Sequence, residues 1–316
     1  MEIMKLMPVG KDYLWGGTRL KSLYGKNIDL SPLAETWECS VHPDGASLIV
    51  SGKHKGMSLK SVIEQNPEYL GENNSEGFPV LVKLIDAEKD LSVQVHPDDD
   101  YALIHENQKG KNEMWYVLEA EEDSSLVYGF KDFFSRETIK KAVADGNIMD
   151  YLNKVPVKKG DVFFIPSGTV HAIGAGIVIA EIQQNSNVTY RVYDYDRVDS
   201  QGRKRELHID KALDVMKIQP APAQENYSVT FTENGSSERI LCSCRYFETK
   251  KIDVKEYYSL ENDNRSFQIL LCTEGKGTLK YCGSETDFVS GDCIFISAGT
   301  GICTIYGNTS VLKVKC

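Results

Sequence analysis

The chain has 316 residues, of which 41% are hydrophobic and 26% are charged, and its formal net charge is -10 at pH 7. This length predicts two domains, with a single elaborated domain as the alternative, and the composition is that of a soluble globular protein. The negative charge excludes nucleic acids and anionic membranes as partners, because both require a basic face. A small anionic ligand remains compatible if a few lysines or arginines are gathered locally.

The N-terminal segment MEIMKLMPVGKDYLWGG carries a glutamate at once and has no apolar run of signal-peptide length. No stretch approaches the roughly 18 apolar residues of a membrane span. The eight cysteines include no C-x-x-C pair, and most of them lie in apolar, strand-like runs, as is typical of buried free thiols. We therefore expect a cytoplasmic protein without disulfides.

Short apolar runs rich in β-branched and aromatic residues predict many short strands. The clearest runs are at 79–86, 91–97, 113–120, 161–166 and 176–182. Their spacing, with Gly, Asp and Asn between them, indicates an antiparallel sandwich or barrel. Two segments predict helices instead, one that begins with Ser58 as its cap, and one with Ser135 as its cap that we place at about 131–155.

Two parts of the chain resemble each other and indicate an internal repeat. GDVFFIPSGTVHAIG at 160–174 aligns without a gap with GDCIFISAGTGICTI at 291–305, and the segments 116–129 and 269–282 align as well. The first copy is longer between these segments by about the length of the helical segment. Two copies of one β-unit, the first with a helical insertion, account for the pattern.

A boundary between the copies is expected at 217–228, where KIQPAPAQENYS interrupts the strand pattern with prolines and small residues. We therefore predict a first domain at 1–220 and a second domain at 225–316. The second copy has Ile302 where the first has His171. This replacement predicts a second barrel whose interior is packed with apolar side chains and has no metal ligands.

Several polar side chains in the first domain suggest a metal site. Strand periodicity in LSVQVHP places Ser92, Gln94 and His96 on one face. Glu113 begins an otherwise apolar run, and His171 follows a Pro-x-Gly turn. Two imidazoles, one carboxylate and one amide oxygen suit zinc or another divalent first-row ion. Each residue alone is weak evidence, but together they predict a catalytic site that water completes.

The spacing of these residues matches a known barrel. GDVFFIPSGTVH fits the second signature of the cupin barrel, and Gln94-x-His96 stands in the place of the first ligand pair. In cupins the ligand glutamate usually follows that pair within a few residues, whereas Glu113 comes 17 residues after His96. The intervening segment is therefore predicted to be a loop that leaves the barrel and returns.

Six strings resemble type I mannose-6-phosphate isomerases in their short bacterial form: YLWGGTRL, LAETWECS, VLVKLIDAEKDLSVQVHPDDDYA, GKNEMWYVL, GTVHAIG and NVTYRVYDYDR. The resemblance extends from near residue 8 to the C-terminus. It implies a mainly β protein with two cupin-type barrel or jelly-roll domains and a small helical insertion. It further implies one zinc ion per chain and the interconversion of mannose 6-phosphate and fructose 6-phosphate through an enediol.

The resemblance also implies roles for individual residues. The family's metal ligands fall on Gln94, His96, Glu113 and His171. Its active-site arginine falls on Arg191. The positions that match its substrate pocket are Lys83, Ser92, Lys111 and Glu181. The general base stays open between Glu181 and a metal-bound hydroxide, and the oligomeric state is open as well.

Two other classes of function are compatible with these residues. Another metal cupin, such as an oxygenase or a phosphoglucose isomerase, would share the ligands but not LSVQVHP joined to the distant GKNE. A non-catalytic sugar-binding cupin would retain the fold without the reaction. The intact set of candidate ligands and Arg191 favours the isomerase.

Overall fold

The computed structural model describes residues 1–199, 201–225 and 227–316. Its strands, in chain order, are β1 (Ile3–Met7), β2 (Val9–Lys11), β3 (Glu35–Cys39), β4 (Leu48–Ile49), β5 (Val80–Ala87), β6 (Val93–Val95), β7 (Glu113–Ala120), β8 (Ser125–Phe130), β9 (Leu152–Pro156), β10 (Val162–Ile165), β11 (His171–Ile173), β12 (Ile177–Gln184), β13 (Tyr190–Tyr193), β14 (Val229–Phe231), β15 (Ser237–Ser243), β16 (Glu248–Val254), β17 (Tyr257–Asn262), β18 (Gln268–Tyr281), β19 (Ser284–Val289), β20 (Cys293–Ile296) and β21 (Gly301–Lys315). The α-helices are α1 (Arg19–Tyr24), α2 (Leu59–Gln65), α3 (Asp99–Glu106), α4 (Arg136–Ala144) and α5 (Ile209–Val215). Short 3₁₀ turns lie at Pro67–Leu70, Glu72–Asn74 and Ile148–Asp150.

The strands form three antiparallel sheets. Sheet A has ten strands, with the main order β14-β15-β16-β21-β18-β20-β1-β4, and with β17 beside β21 and β19 beside β18. Sheet B has the order β10-β7-β12-β5-β3-β2, and sheet C has the order β13-β6-β11-β8-β9. The prediction of a mainly β fold is confirmed, and all five runs singled out in the sequence contain strands of sheets B and C.

The N-terminal strand does not stay with its neighbours in sequence. β1 pairs with β20, with Ile3 opposite Ile296, and β4 continues the same sheet beyond β1. Both strands therefore belong to sheet A, together with residues from 229 onwards. The division of the chain at 220 and 225 stays a prediction, and Asn226 within the predicted boundary lies outside the described residues.

The two predicted helices begin where expected. Ser58 and Ser135 cap α2 and α4, and each hydroxyl accepts a hydrogen bond from a backbone N–H three residues later. The second helix is shorter than the predicted 131–155, since residues 152–156 form β9 and pair with β8. Pairing with a neighbouring strand overrides the local helical pattern here. The predicted loop after His96 also contains a helix, α3.

Sheet B buries both of its faces. One face packs against sheet A in a common core, and the other packs against sheet C. Along β12, Val178, Ala180 and Ile182 belong to the first core, whereas Ile177 and Ile179 belong to the second. Two-sided burial explains why the strands of this sheet are almost continuously apolar in sequence.

Further layers cover the remaining faces. The outer face of sheet C packs against α4 and α5, and sheet A encloses a core of its own. None of the helices in the described ranges is long and apolar enough to cross a membrane.

The expectation that Ile302 lies in the interior of the second copy is wrong, whereas the absence of metal ligands from that copy stays a prediction. The Ile302 side chain is 71% exposed, whereas Cys303 and Ile305 are buried in the core of sheet A. The register of β21 against β17, with Cys303 opposite Leu260, directs the odd-numbered residues inward. Ile302 therefore does not replace a ligand inside the second barrel.

A buried ion pair connects the segment after α1 to β3. Lys26 Nζ lies 2.6 Å from Glu38 Oε2, and the Thr36 hydroxyl donates to Glu38 Oε1 at 2.6 Å. Lys26 also donates to the carbonyl oxygen of Gly291 in the chain before β20. Burial raises the pKa of Glu38, so the anion depends on these contacts.

We predict that Lys26→Met destabilises the protein by about 3–5 kcal/mol, because it leaves a buried carboxylate without its cation. The free energy of unfolding in urea at pH 7 measures this. The double variant Lys26→Met/Glu38→Gln should recover a large part of the loss, since no unpaired charge remains. A single variant as stable as the unmodified chain would contradict the prediction.

Candidate metal centre and active site

The polar residues of sheet B lie together at one end of the face that packs on sheet C. Glu35 on β3, Lys83 on β5 and Glu181 on β12 line a cleft there, and Glu113 begins β7 beside them. Lys83 and Glu181 are direct cross-strand partners. Alternation along each strand places these side chains on the face that forms the apolar core with sheet C.

Sheet C supplies the opposite wall of the cleft. Gln94 on β6 pairs with His171 on β11 and with Arg191 on β13, so the three residues are neighbours in the sheet. His96 follows one residue after β6. The polar face predicted for LSVQVHP therefore lies beside His171, which is 75 residues after His96 in the chain.

The Pro-x-Gly turn before His171 has a structural reason. Gly168 adopts φ +84°, and its N–H donates to the carbonyl oxygen of His96 at 2.8 Å. A Cβ at this position would lie 2.9 Å from the carbonyl oxygen of Val215. The turn requires glycine for both reasons, and it ties the two histidine segments together.

Both histidines are oriented by backbone carbonyls. His96 Nδ1 lies 2.9 Å from the carbonyl oxygen of Val188, and His171 Nδ1 lies 2.8 Å from that of Thr169. Each Nδ1 therefore carries the hydrogen, and each Nε2 is left with a lone pair. Both lone pairs lie beside the Glu113 carboxylate.

The three side chains form a compact, fully buried cluster. His171 Nε2 lies 3.2 Å from Glu113 Oε1, and His96 Nε2 lies 3.4 Å from Glu113 Oε2. A tetrahedral zinc ion with bonds near 2.0–2.1 Å holds its ligand atoms about 3.3 Å apart. Hydrogen-bond acceptors thus face each other at the spacing of zinc ligands, and a cation fits between them.

The protonation states suit a metal. Burial first, and then the charge of Lys111, lowers the pKa of His96 to about 3, and burial lowers the pKa of His171 as well. Burial alone would raise the pKa of Glu113, but the charge of Lys111 holds it well below its usual range. All three groups are therefore unprotonated at neutral pH, as metal ligands must be.

Gln94 and Lys111 complete the surroundings of the cluster. The Gln94 amide lies 3.3 Å from His171 Nε2, and rotation of its plane presents the oxygen in place of the nitrogen. Lys111 Nζ lies 2.8 Å from Glu113 Oε2 and 3.2 Å from His96 Nε2. Within the described ranges, neither oxygen of Glu113 accepts a well-directed hydrogen bond, so this carboxylate retains coordinating capacity.

A cleft of about 270 Å³ opens beside the cluster. Six of the residues named from the sequence line it: Lys83, Ser92, Gln94, Lys111, Glu181 and Arg191. The sequence did not single out other lining residues, among them Tyr13, Trp15, Glu35, Asn187 and Arg205. Four of these five residues lie within strings that resemble the family, namely Tyr13, Trp15, Glu35 and Asn187, whereas nothing near Arg205 marks it.

Lys83 lies between two carboxylates on the cleft wall. Its Nζ is 3.1 Å from Glu181 Oε1 and 3.8 Å from Glu35 Oε2. Trp115 donates its indole N–H to Glu181 at 3.0 Å, and Trp37 donates to Glu35 at 2.8 Å. Burial works to lower the pKa of Lys83, but the two carboxylates outweigh it and raise the pKa above its usual range. The lysine is therefore a fixed cation.

Arg191 lies on the opposite wall. Its Nε donates to Ser92 Oγ at 3.3 Å, and its Nη1 donates to the carbonyl oxygen of Glu206 at 2.8 Å. The nearby carboxylate of Asp194 is bound by Arg205 and Arg197 instead. The hydrogen-bond partners of Arg191 are thus neutral, and its positive charge is not neutralised by a carboxylate of the cleft wall.

Comparison with known proteins places the chain among its relatives. Residues 3–133 match the family model of the catalytic domain of type I phosphomannose isomerase, and residues 237–316 match that of the mannose-6-phosphate isomerase cupin domain. The mannose-6-phosphate isomerase of Streptococcus mutans is 44% identical over 239 residues, which cover 75% of this chain and 74% of the relative. That of Bacillus subtilis is 37% identical over 295 residues, which cover 93% and 92%. This chain belongs to the mannose-6-phosphate isomerase family.

The fold of the family extends over the whole chain. The crystal structure of the mannose 6-phosphate isomerase from Bacillus subtilis superposes with a TM-score of 0.94, at 33% identity and over 99% of both chains. The family resemblance carried by the six strings is confirmed, as are the cupin fold and membership of a family of mannose-6-phosphate isomerases. The roles of the individual site residues stay predictions.

We predict that His171→Ala weakens zinc binding by more than about 100-fold, since even a residue that only orients a metal ligand contributes 10–100-fold. Zinc content after dialysis and competition with a chelator measure the affinity. His54→Ala, which changes a histidine outside the cluster, is the matched control. Unchanged zinc affinity in the first variant would exclude His171 as a ligand.

Proposed function

We propose that this protein interconverts mannose 6-phosphate and fructose 6-phosphate, as the names of its relatives suggest. One observation carries the proposal: a buried cluster of unprotonated metal-ligand groups borders a cleft lined by Lys83, Lys111, Arg191 and Arg205. The chain as a whole is acidic, so these cations are a local feature. A sugar phosphate, which carries a charge of about -1.5 to -2 at neutral pH, fits such a cleft.

The reaction moves hydrogen between two neighbouring carbons. In the direction of the ketose, C2 loses a proton and the C1 carbonyl oxygen gains one, which gives the enediol. C1 then gains a proton, and the C2 hydroxyl loses its proton as it becomes the carbonyl. Negative charge develops on the oxygens of C1 and C2 along this path. The site must therefore supply positive charge at these oxygens and a group that carries the proton.

We propose one zinc ion per chain, held by His96, Glu113, His171 and the amide oxygen of Gln94. The donor set of nitrogen and oxygen atoms and the spacing of their ligand atoms support zinc over a larger, purely oxygen-bound ion. When bound, zinc supplies a Lewis acid that polarises the sugar carbonyl and stabilises the oxyanion.

Arg191 is proposed to stabilise the developing negative charge from the side opposite sheet B. Its guanidinium borders the cleft and is oriented by Ser92 and by the carbonyl of Glu206. Burial, followed by the charge of Arg205, lowers the pKa of Arg191 from its usual range, yet an arginine remains a cation at neutral pH. No proton transfer at this side chain is required for the role.

Lys83, Ser92 and Lys111 are proposed to bind oxygens of the sugar or of its phosphate. Glu181 is proposed to carry the proton, because it borders the cleft and is an acceptor group. Lys83 and the indole of Trp115 hold both of its oxygens at fixed positions, which orients the carboxylate for transfer.

The cytoplasm is part of this proposal. All eight cysteines are free thiols in the structure, which suits a reducing compartment.

A coupled assay that follows fructose 6-phosphate formation tests the function. We expect turnover of mannose 6-phosphate and much slower turnover of glucose 6-phosphate, loss of activity with a chelator, and recovery with zinc. Preference for glucose 6-phosphate would indicate a phosphoglucose isomerase instead. Binding of both sugar phosphates without turnover would indicate a sugar-binding cupin.

We predict that Arg191→Ala lowers kcat by about 10²–10³-fold, the range found when one group that stabilises a transition-state oxyanion is removed. Circular dichroism and zinc content should be unchanged, because the arginine lies outside the metal cluster. Arg203→Ala, which removes a largely exposed arginine, serves as the control. Near-normal turnover in Arg191→Ala would exclude the assigned role.

A second variant tests the proton carrier. Glu181→Gln keeps the shape of the side chain and its contact with Trp115 but removes the basic oxygen, so kcat should fall by about 10²–10⁴-fold. Exchange of the substrate C2 proton with deuterated solvent, followed by NMR, should slow equally. Exchange at the original rate would assign the proton transfer to another group.

A further inference from the structure

The segment 97–112 connects β6 of sheet C, which is followed by His96, to β7 of sheet B, which begins with Glu113. It contains α3, and its two ends are fastened to each other. The backbone N–H of Lys111 donates to the carbonyl oxygen of Pro97 at 3.0 Å, and the N–H of Gly110 donates to Asp99 Oδ1 at 2.9 Å. Asp99 is therefore the side chain that closes the neck of this loop.

The closure is tight. A Cβ on Gly110 would lie 2.4 Å from the carbonyl carbon of Asp98, so only glycine permits this approach. The position of the returning strand is consequently sensitive to the position of Asp99.

A chain of hydrogen bonds leads from Asp99 to the metal-site segment. Asp99 Oδ1 accepts from the Gln184 side-chain amide at 3.0 Å, and Gln184 Oε1 accepts from the backbone and side-chain N–H groups of Asn112 at 2.8 and 2.7 Å. Asn112 Oδ1 accepts in turn from the backbone N–H of Ser167 at 2.9 Å. Asn112 lies between the lysine and the glutamate of the site, so the chain fixes the backbone that presents both.

The second oxygen of Asp99 is bound from sheet A. Tyr246 lies in the turn between β15 and β16, and its hydroxyl donates to Asp99 Oδ2 at 2.8 Å. We propose that Tyr246 is a positioning residue: through Asp99, it holds the segment 110–113 where Lys111 and Glu113 face His96. The C-terminal part of the chain thereby acts on a site to which it contributes no ligand.

A purely cohesive role for this contact is less well supported. Sheets A and B already share an extensive apolar core that includes Phe267, Phe295 and Leu312, so one hydroxyl adds little to their association. Asp99, by contrast, depends on few donors, and a hydrogen bond to a charged group is worth more than a neutral one. Loss of the Tyr246 hydroxyl should therefore first loosen the hydrogen bonds of Asp99 that join the two ends of the loop.

Hydrogen–deuterium exchange of the zinc-free full-length protein tests the connection directly. In Tyr246→Phe, peptides covering 107–113 should exchange roughly fivefold to tenfold faster, because the amides of Gly110 and Asn112 donate to this chain of bonds. Tyr258→Phe is the matched control, since its hydroxyl also donates to a carboxylate in sheet A, Glu238, at 2.7 Å. That variant should leave 107–113 unchanged.

Zinc affinity tests the consequence for the site. Tyr246→Phe should weaken zinc binding roughly fivefold, measured by chelator competition, and Tyr258→Phe should not change it. Asp99→Asn should weaken it at least as much, and the double variant Asp99→Asn/Tyr246→Phe should be no weaker than Asp99→Asn, because both act through one path.

The proposal is overturned if exchange at 107–113 or zinc affinity is the same in Tyr246→Phe as in Tyr258→Phe, or if the two effects in the double variant simply add. It rests on the proposed function for the zinc site and not for the identity of the reaction, and the exchange measurement requires no zinc. Both measurements are made without a sugar phosphate, so an inactive wild-type chain would contradict the proposed function and leave this test intact.

Discussion

Both faces of sheet B are largely covered by the other two sheets, and the arrangement of the site depends on this constraint. A strand that is buried on both sides can carry ionised groups only where they neutralise each other. At the polar end of the sheet, the carboxylates of Glu35, Glu113 and Glu181 meet the ammonium groups of Lys83 and Lys111. These five charges sum to minus one, so a divalent cation leaves a small positive excess where an anionic sugar phosphate is proposed to bind.

The same constraint explains how sheet A contributes to the site without supplying a candidate metal ligand. By covering the outer face of sheet B, it turns a half-exposed sheet into a buried one and lowers the polarity around the site residues. Charge pairs and lone pairs interact more strongly in such surroundings. Sheet A therefore contributes to the surroundings of the site although no candidate ligand of that site lies on it.

The sequence was most informative where one strand supplies several site residues or where a turn has a fixed chemistry. Periodicity in LSVQVHP identified the polar face of β6, and the Pro-x-Gly turn identified His171, because both patterns are local. Glu35 was missed because its approach to the cleft depends on the pairing of β3 with β5, which is distant in sequence. Arg205 was missed because it lies outside the strands and is held at the cleft by its ion pair with Asp194. The residues 152–156 and Ile302 were misjudged for the same reason as Glu35: strand pairing and register, which a single segment does not encode, decide their state.

The pairing of β1 with β20 has a consequence for the order in which the chain folds. About 290 residues separate the two strands, and a ribosome that adds 5–20 residues per second needs on the order of 15–60 s to synthesise them. For that time β1 and β4 have no sheet to join, and their unpaired edges are open to other chains. β20 thus completes the packing of β1, and the nascent chain reaches the full core of sheet A only after residues 293–296 have been synthesised.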